Sequence, residues 1–163
     1  GRRQILSILL PGDLIAGQLI LQPVCPVSVE AVSDLHYRSF NRDAVITALR
    51  RHPALIDMLS KIRNEETMHA DHMAADLGQR NAAERIARLI VKLSERLARR
   101  GMMPEQTFDF PLRQHHIADA TGLTVVHAGK VLLEFRRAGL IEIGGRTLTL
   151  LDAAGLRRIA DMY

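Results

Sequence analysis

His69 and His72 stand three residues apart with Asp76 four further on, so on a helix all three share one face. With Glu65, Glu66 and Asp71 beside them, they carry the imidazole and carboxylate donors that hold zinc or another divalent ion. Two such faces meeting across a dimer would complete a coordination shell. Histidines and acids on a long helix are more commonly solvated or charge-paired, and the expectation is that no metal is held there. His115-His116 reads as a surface pair. Cys25, between Pro23 and Pro26, reads as a loop or buried thiol with no resolving partner. As the only cysteine it excludes an internal disulfide framework, a Cys-based zinc finger and a Cys-ligated iron–sulfur cluster within this chain. A reducing, cytoplasmic compartment fits. No Ser-His-Asp set, glycine-rich phosphate loop or spaced carboxylate pair is present, so the chain does not read as an enzyme, and no cofactor is identified.

Charge divides the 163 residues unevenly. Residues 1–78 carry eight Lys/Arg and nine Asp/Glu, a net of −1, whereas residues 79–163 carry fourteen and nine, a net of +5. Nineteen of the 22 basic residues are arginine, whose fork suits phosphate. A basic half on a neutral half suggests a polyanion-binding module joined to something else. No apolar run is long enough to span a membrane, and Gly1-Arg2-Arg3-Gln4 does not open a signal peptide.

The elements that would position these groups change character near residue 41. Before it, Ile5–Leu10, Pro26–Ser33 and Leu35–Phe40 read as strands, the first closed by the Pro11-Gly12-Asp13 turn. They are too few to bury both faces of a sheet. After it, Asn41 caps a short helix ending near His52. Pro53 then starts a helix over Ala54–Leu77, about 36 Å long, that Gly78 closes. Such a length suggests a dimer seam. Leu55, Leu59, Ile62, Thr67, Ala70, Met73 and Ala74 supply apolar or small positions for it, although Glu66 and His69 interrupt one register. Asn81 caps the next helix, whose apolar stripe is Ile86, Leu89, Ile90, Leu93 and Leu97. Its outer Arg85, Arg88, Lys92, Arg96, Arg99 and Arg100 read as a solvated face.

The last 55 or so residues carry the strongest pattern. Pro111–Gln114 opens a short helix with Ile117, Ala118 and Ala120 inward, and Thr121-Gly122-Leu123 forms a tight turn. Thr124 caps a second helix with Val125, Ala128, Val131, Leu132 and Phe135 on its core side. Leu140–Ile143 and Arg146–Leu150 read as strands about a Gly144-Gly145 turn. Helix, glycine turn, helix and hairpin make a winged helix-turn-helix. The second helix of such a unit fits the major groove, and the wing grips flanking backbone. Val126, His127 and Lys130 lie opposite the core stripe, facing base edges.

Residues 81–150, from Asn81-Ala82-Ala83-Glu84-Arg85 through Ala118-Asp119-Ala120-Thr121-Gly122-Leu123-Thr124 to Gly139-Leu140-Ile141, resemble the C-terminal half of the Crp/Fnr transcription regulators. The N-terminal part is similar to the second half of that family's cyclic-nucleotide-binding-type β-roll, Pro11-Gly12-Asp13 matching its turn, and the long helix resembles its dimerisation helix. The resemblance implies an α+β fold: a remainder of a β-roll sensor over 1–52, a dimerisation helix over 53–78 and a winged helix-turn-helix over 79–163. It further implies that the start of the roll is missing here. The implied partners are double-stranded DNA, a second copy and RNA polymerase, with no membrane.

Carried over by position, the family's Glu and Arg readers on the recognition helix fall on Val126 and Lys130, and Gly129 fits its variable third position. Losing the carboxylate removes an acceptor for the cytosine amino group; Val126 would touch a thymine methyl instead. Lys130 keeps charge without the fork. Arg113 and Gln114 match backbone-contacting positions, and Arg146 in the wing does similar work. The cyclic-AMP-binding members carry a Gly-Glu pair and an Arg-Ser or Arg-Thr pair after the Pro-Gly-Asp turn. Here residues 16–27 contain neither Glu nor Arg, so a cyclic phosphate would be buried without a countercharge. The expected function is a homodimeric DNA-binding regulator reading a pseudo-palindromic operator in response to an unidentified signal. The alternative is a ligand- or metal-responsive sensory protein with weak, non-specific DNA binding.

Overall fold

Asn41 and Asn81 each start a helix, because a short side-chain oxygen satisfies backbone N–H groups that the first turn leaves without partners. Asn41 Oδ1 accepts from Asp43 N at 2.9 Å and Ala44 N at 3.1 Å. Asn81 Oδ1 accepts from Glu84 N at 3.0 Å, while Glu84 Oε2 accepts from Asn81 N at 3.0 Å, closing a reciprocal capping box. The structure, a computed structural model, describes residues 3–15, 17–20 and 24–161; within its helices the side chains of Gln18, Leu19, Glu66, residues 69–73 and Leu77 lie outside the description. The chain divides into two units, residues 9–73 and residues 1–8 with 74–163.

In the first unit, Pro11-Gly12 forms the expected turn. Asp13 N donates to Leu10 O at 2.9 Å, Leu10 N donates to Asp13 Oδ2 at 2.7 Å, and Gly12 takes φ +92°, where a side chain would be strained. A 3-10 turn spans Gly17–Ile20, α1 spans Arg42–Arg51, and α2 spans Pro53–Gln79. The expected strands over 5–10, 26–33 and 35–40 form no ladder among the described residues. A strand gains most from its neighbours, and no described strand pairs with these. Gly78 does not close α2: it lies inside the helix, and Arg80 N still donates to Asp76 O at 3.1 Å.

The second unit is built on α3 (Ala82–Ala98), which buries Ile86, Ala87, Ile90, Leu93 and Leu97. Around it stand β1 (Thr107–Asp109), α4 (Gln114–Thr121), α5 (Val125–Arg137), β2 (Ile141–Gly144), β3 (Thr147–Leu150) and α6 (Ala153–Ala160). The sheet has the order β1-β3-β2, with both pairs antiparallel. Phe108, Ile141, Leu148 and Leu150 face the core, joined by Ile117, Ala128, Val131, Leu132, Phe135 and Leu156. The α+β class therefore holds. Two elements, β1 and α6, were not expected from the sequence. β1 is three residues long, too short for an alternating pattern to register, and α6 is only eight residues long with Gly155 in its first turn, which lowers helix propensity.

The hairpin turn also differs. Gly144 pairs with Thr147, so the central residues are Gly145 and Arg146, at φ +57° and +68°. Positive φ at both is the type I′ geometry that matches strand twist. Arg146 holds it although a side chain there costs roughly 1–2 kcal/mol. Thr147 Oγ1 donates to Gly144 O at 2.7 Å, and Phe110 N donates to Arg146 O at 2.7 Å, which fixes the turn from both sides.

Gly155 is a packing requirement. A methyl there would meet the Asp152 carboxylate that caps α6 and stand 2.9 Å from Leu140 Cδ2. Gly155→Ala is accordingly expected to destabilise the fold by roughly 1–3 kcal/mol, despite alanine's higher helix propensity. Urea unfolding of the two proteins checks this; equal or greater stability in the variant would show that α6 can shift freely.

Candidate nucleic-acid interface

Gly122 takes the left-handed conformation at φ +67° and ends α4, with Leu123 N donating to Ala118 O at 3.0 Å. Two residues later Thr124 Oγ1 accepts from His127 N at 3.2 Å and starts α5. This turn sets α5 across α4 with Ala128, Val131, Leu132 and Phe135 buried. On the opposite side Val126 is 83% exposed, and Thr124, His127 and Lys130 are also exposed. Val125 departs from its expected place in the core stripe. It is 45% exposed, because it is the first residue of α5 and no element covers that turn.

Arg113 and Gln114 lie at the start of α4, both exposed. Arg113 N donates to His116 Nδ1 at 3.0 Å, so His116 closes the helix start. His116 is therefore not a surface residue: it is buried, its ring centroid 3.9 Å from that of the exposed His115 with the planes tilted by 51°. Arg146 stands exposed at the hairpin tip. Thus Arg113, Gln114, Thr124, Val126, His127, Lys130 and Arg146 all belong to one unit and all reach solvent.

Of the outer basic residues expected to form a solvated face, Arg99 and Arg100 are exposed, whereas Arg85, Arg88, Lys92 and Arg96 are half-buried. Arg85 donates through Nε to Arg80 O at 3.1 Å and through Nη1 to Thr121 O at 3.0 Å. Arg96 Nη1 donates to Ile8 O at 2.8 Å, and Arg88 Nε bonds Asp76 Oδ2 at 3.0 Å. Burial, then the nearby Arg88 and Arg80 charges, lower the Lys92 pKa from its ordinary value, and Asp76 opposes them in part. These side chains tie helices together. The N-terminal segment is tied down in the same way: Ile5 N donates to Asp119 O at 3.1 Å and Arg3 Nε meets Asp119 Oδ2 at 2.9 Å. The backbone expected to pair in a strand here bonds a helix carbonyl instead.

Asp76, read as a candidate metal ligand, has both carboxylate oxygens engaged: Oδ1 by Arg80 Nε at 2.8 Å and Oδ2 by Arg88 Nε at 3.0 Å. A metal there would have to displace two guanidinium groups. The side chains of His69 and His72 lie outside the description, as do those of Ala70 and Met73 from the dimer seam. Of the other seam positions, Leu55, Thr67 and Ala74 are exposed and Leu59 and Ile62 half-buried. Met58 and Met68, not assigned to the seam, are about 60% exposed as well. Cys25 is half-buried, with Sγ 3.2 Å from Val27 O. Of the window without acid or arginine, Ala16 and residues 21–23 lie outside the described residues. No described helix is long and apolar enough to cross a membrane.

Comparison with known proteins adds four findings. Residues 84–159 match a Crp-like helix-turn-helix domain. The chain is 28% identical to the transcriptional activator protein FnrA of Stutzerimonas stutzeri over 98% of its own length and 65% of that relative's. It is 30% identical to the nitrogen fixation regulation protein FixK of Bradyrhizobium diazoefficiens, over 98% of the chain and 66% of the relative. The chain thus spans just under two thirds of the length of these curated relatives. Among solved structures, FixK2 from Bradyrhizobium japonicum superimposes with a TM-score of 0.64 at 21% identity, over 72% of this chain and 58% of that one.

Proposed function

Because this chain belongs to the Crp/Fnr family of transcription regulators, we propose that it binds double-stranded DNA as a homodimer and reads a pseudo-palindromic operator with α5 in the major groove. The observation that carries this reading is the solvent-facing edge of α5. Its buried stripe is filled by core, while Val126, His127 and Lys130 present an apolar tip, an imidazole and a cation with nothing among the described residues folded over them. Arg113 on one side and Arg146 on the other are placed to hold phosphates and set orientation, and the three groove-facing residues to read sequence. A backbone strain kept at Arg146, where glycine would relieve it, is in keeping with a side chain retained for contact.

We assign residues 53–78 to dimerisation, residues 79–163 to DNA binding and residues 1–52 to the remainder of the signal-receiving domain, in a cytoplasmic protein for which RNA polymerase is a further partner. The exposed Leu55, Met58 and Met68 of α2 support pairing with a second copy. The test is selection of binding sites from a random duplex pool, with sedimentation of the free protein. The expected result is a two-fold symmetric site whose half-sites lie about 34 Å apart, one turn of DNA, bound by a dimer. A monomer at micromolar concentration, or enrichment of no sequence, would refute the reading. Cyclic AMP is expected not to bind at physiological concentration, since no arginine in residues 16–27 can neutralise its phosphate. Calorimetry on the whole protein that returned a micromolar dissociation constant would overturn that expectation.

A further inference from the structure

Gly129 and Gln114 are in closer register than either helix explains alone. A methyl built on Gly129 would stand 3.0 Å from Gln114 Oε1, 3.3 Å from its Cδ and 3.4 Å from its Nε2. The carboxamide of Gln114 therefore lies over the bare Cα of Gly129, in a dent that exists only because position 129 has no side chain. Gly129 needs no glycine for its backbone, because it sits inside α5 and is not among the residues with positive φ. What an added methyl would meet here is the exposed carboxamide of Gln114, which would have to give by a few tenths of an ångström.

That dent is on the groove-facing edge. Gly129 follows Val126 by three residues, one turn along the same face, and adjoins Lys130. A group seated on Gly129 is thus carried among the residues proposed to read bases, although its own helix is α4. We propose that Gln114 is a specificity-determining residue, which reads an adenine through its carboxamide, and that Gly129 acts as the positioning residue that holds it there. A carboxamide offers one acceptor and one donor side by side, the complement of adenine N6–H and N7 in the major groove. This replaces the phosphate-contacting role expected of Gln114 from its place at the start of α4. It rests on the operator reading above.

The test compares wild type with Gln114→Ala, Gly129→Ala and the double variant, using the whole protein and the same random duplex pool. Alanine raises helix propensity at an interior position, so Gly129→Ala is expected to melt no lower than wild type, and a change in binding by that variant is not a folding defect. The expected result is an adenine preference at one position of each half-site that Gln114→Ala weakens about tenfold, within the range of one bidentate contact. Gly129→Ala should produce the same loss at the same position, and the double variant no more than either alone. Preferences elsewhere in the site should stay. A uniform loss of affinity on all sequences with a shallower salt dependence would make Gln114 a phosphate contact and overturn the proposal, as would an unchanged site in either variant. Failure of the wild type to enrich any sequence overturns the operator reading and this proposal together, so the two failures are distinguishable.

Discussion

Replacing Asp76 by alanine is expected to lower the free energy of unfolding by roughly 3 kcal/mol, the lower end of what removing one partner of a buried ion pair costs. One carboxylate serves two guanidinium groups here, Arg80 at 2.8 Å and Arg88 at 3.0 Å, and all three side chains are only 15–16% exposed. Without Asp76, two positive charges would face one another at the junction of α2, α3 and α6. Some compensation remains: Arg80 Nη1 donates to Ala160 O at 2.8 Å and Arg88 Nη1 lies 3.7 Å from Asp161 Oδ1. That residual bonding keeps the loss at the lower end of the range. Lys92 adds to the effect, because it would lose the one nearby charge that favours its protonated form. Asp76→Asn keeps two lone pairs as an acceptor and is expected to cost less. Denaturant unfolding with an unchanged slope measures both. A loss under about 0.5 kcal/mol for the alanine variant would place this pair among weak surface bridges and refute the role assigned to it.

Replacing Lys130 by alanine is expected to cost roughly 1–3 kcal/mol of binding at each half-site of a specific operator, hence roughly twice that for a dimer on both. The side chain stands exposed on α5, one turn beyond Val126, with no ion pair among the described residues, so its removal disturbs no packing. Two mechanisms give different signatures. If the ammonium donates to a guanine edge, affinity falls on the operator and little on random duplex. If it meets phosphate only, affinity falls alike on both, and the slope of log affinity against log salt loses about one per half-site. Titrations of operator and random duplex at several salt concentrations separate the cases. Unchanged affinity on both duplexes removes Lys130 from the interface and, with it, the docking of α5 proposed here.

Much of this arrangement is written locally. Asn41, Asn81 and Thr124 start helices because the chemistry of a cap is confined to four residues, and Gly122 ends α4 because only the next few atoms decide whether a left-handed residue is needed. The spacing of Ile86, Ile90, Leu93 and Leu97 fixes the buried side of α3, and Ala128, Val131, Leu132 and Phe135 that of α5, since period alone decides which residues share a face. The exposed edge of α5 follows by subtraction. Hence the helix-turn-helix, its hairpin and the solvent-facing positions of Val126, His127 and Lys130 are readable before any coordinates.

What the sequence left open depends on partners far away along the chain. Whether residues 5–10 become a strand depends on a neighbour to pair with, and Asp119 O takes the amide of Ile5 instead. Whether the arginines of α3 meet water or Asp76, Thr121 and Ile8 is decided by what the fold sets against them, which no pattern of charges reveals. His116 is buried because the chain before it turns back to offer Arg113 N. Gly129 reads in sequence as a weak point of a helix. Only when α4 crosses α5 does it become the seat of a carboxamide fifteen residues upstream, because contact between two helices is a property of their packing and not of either one's period.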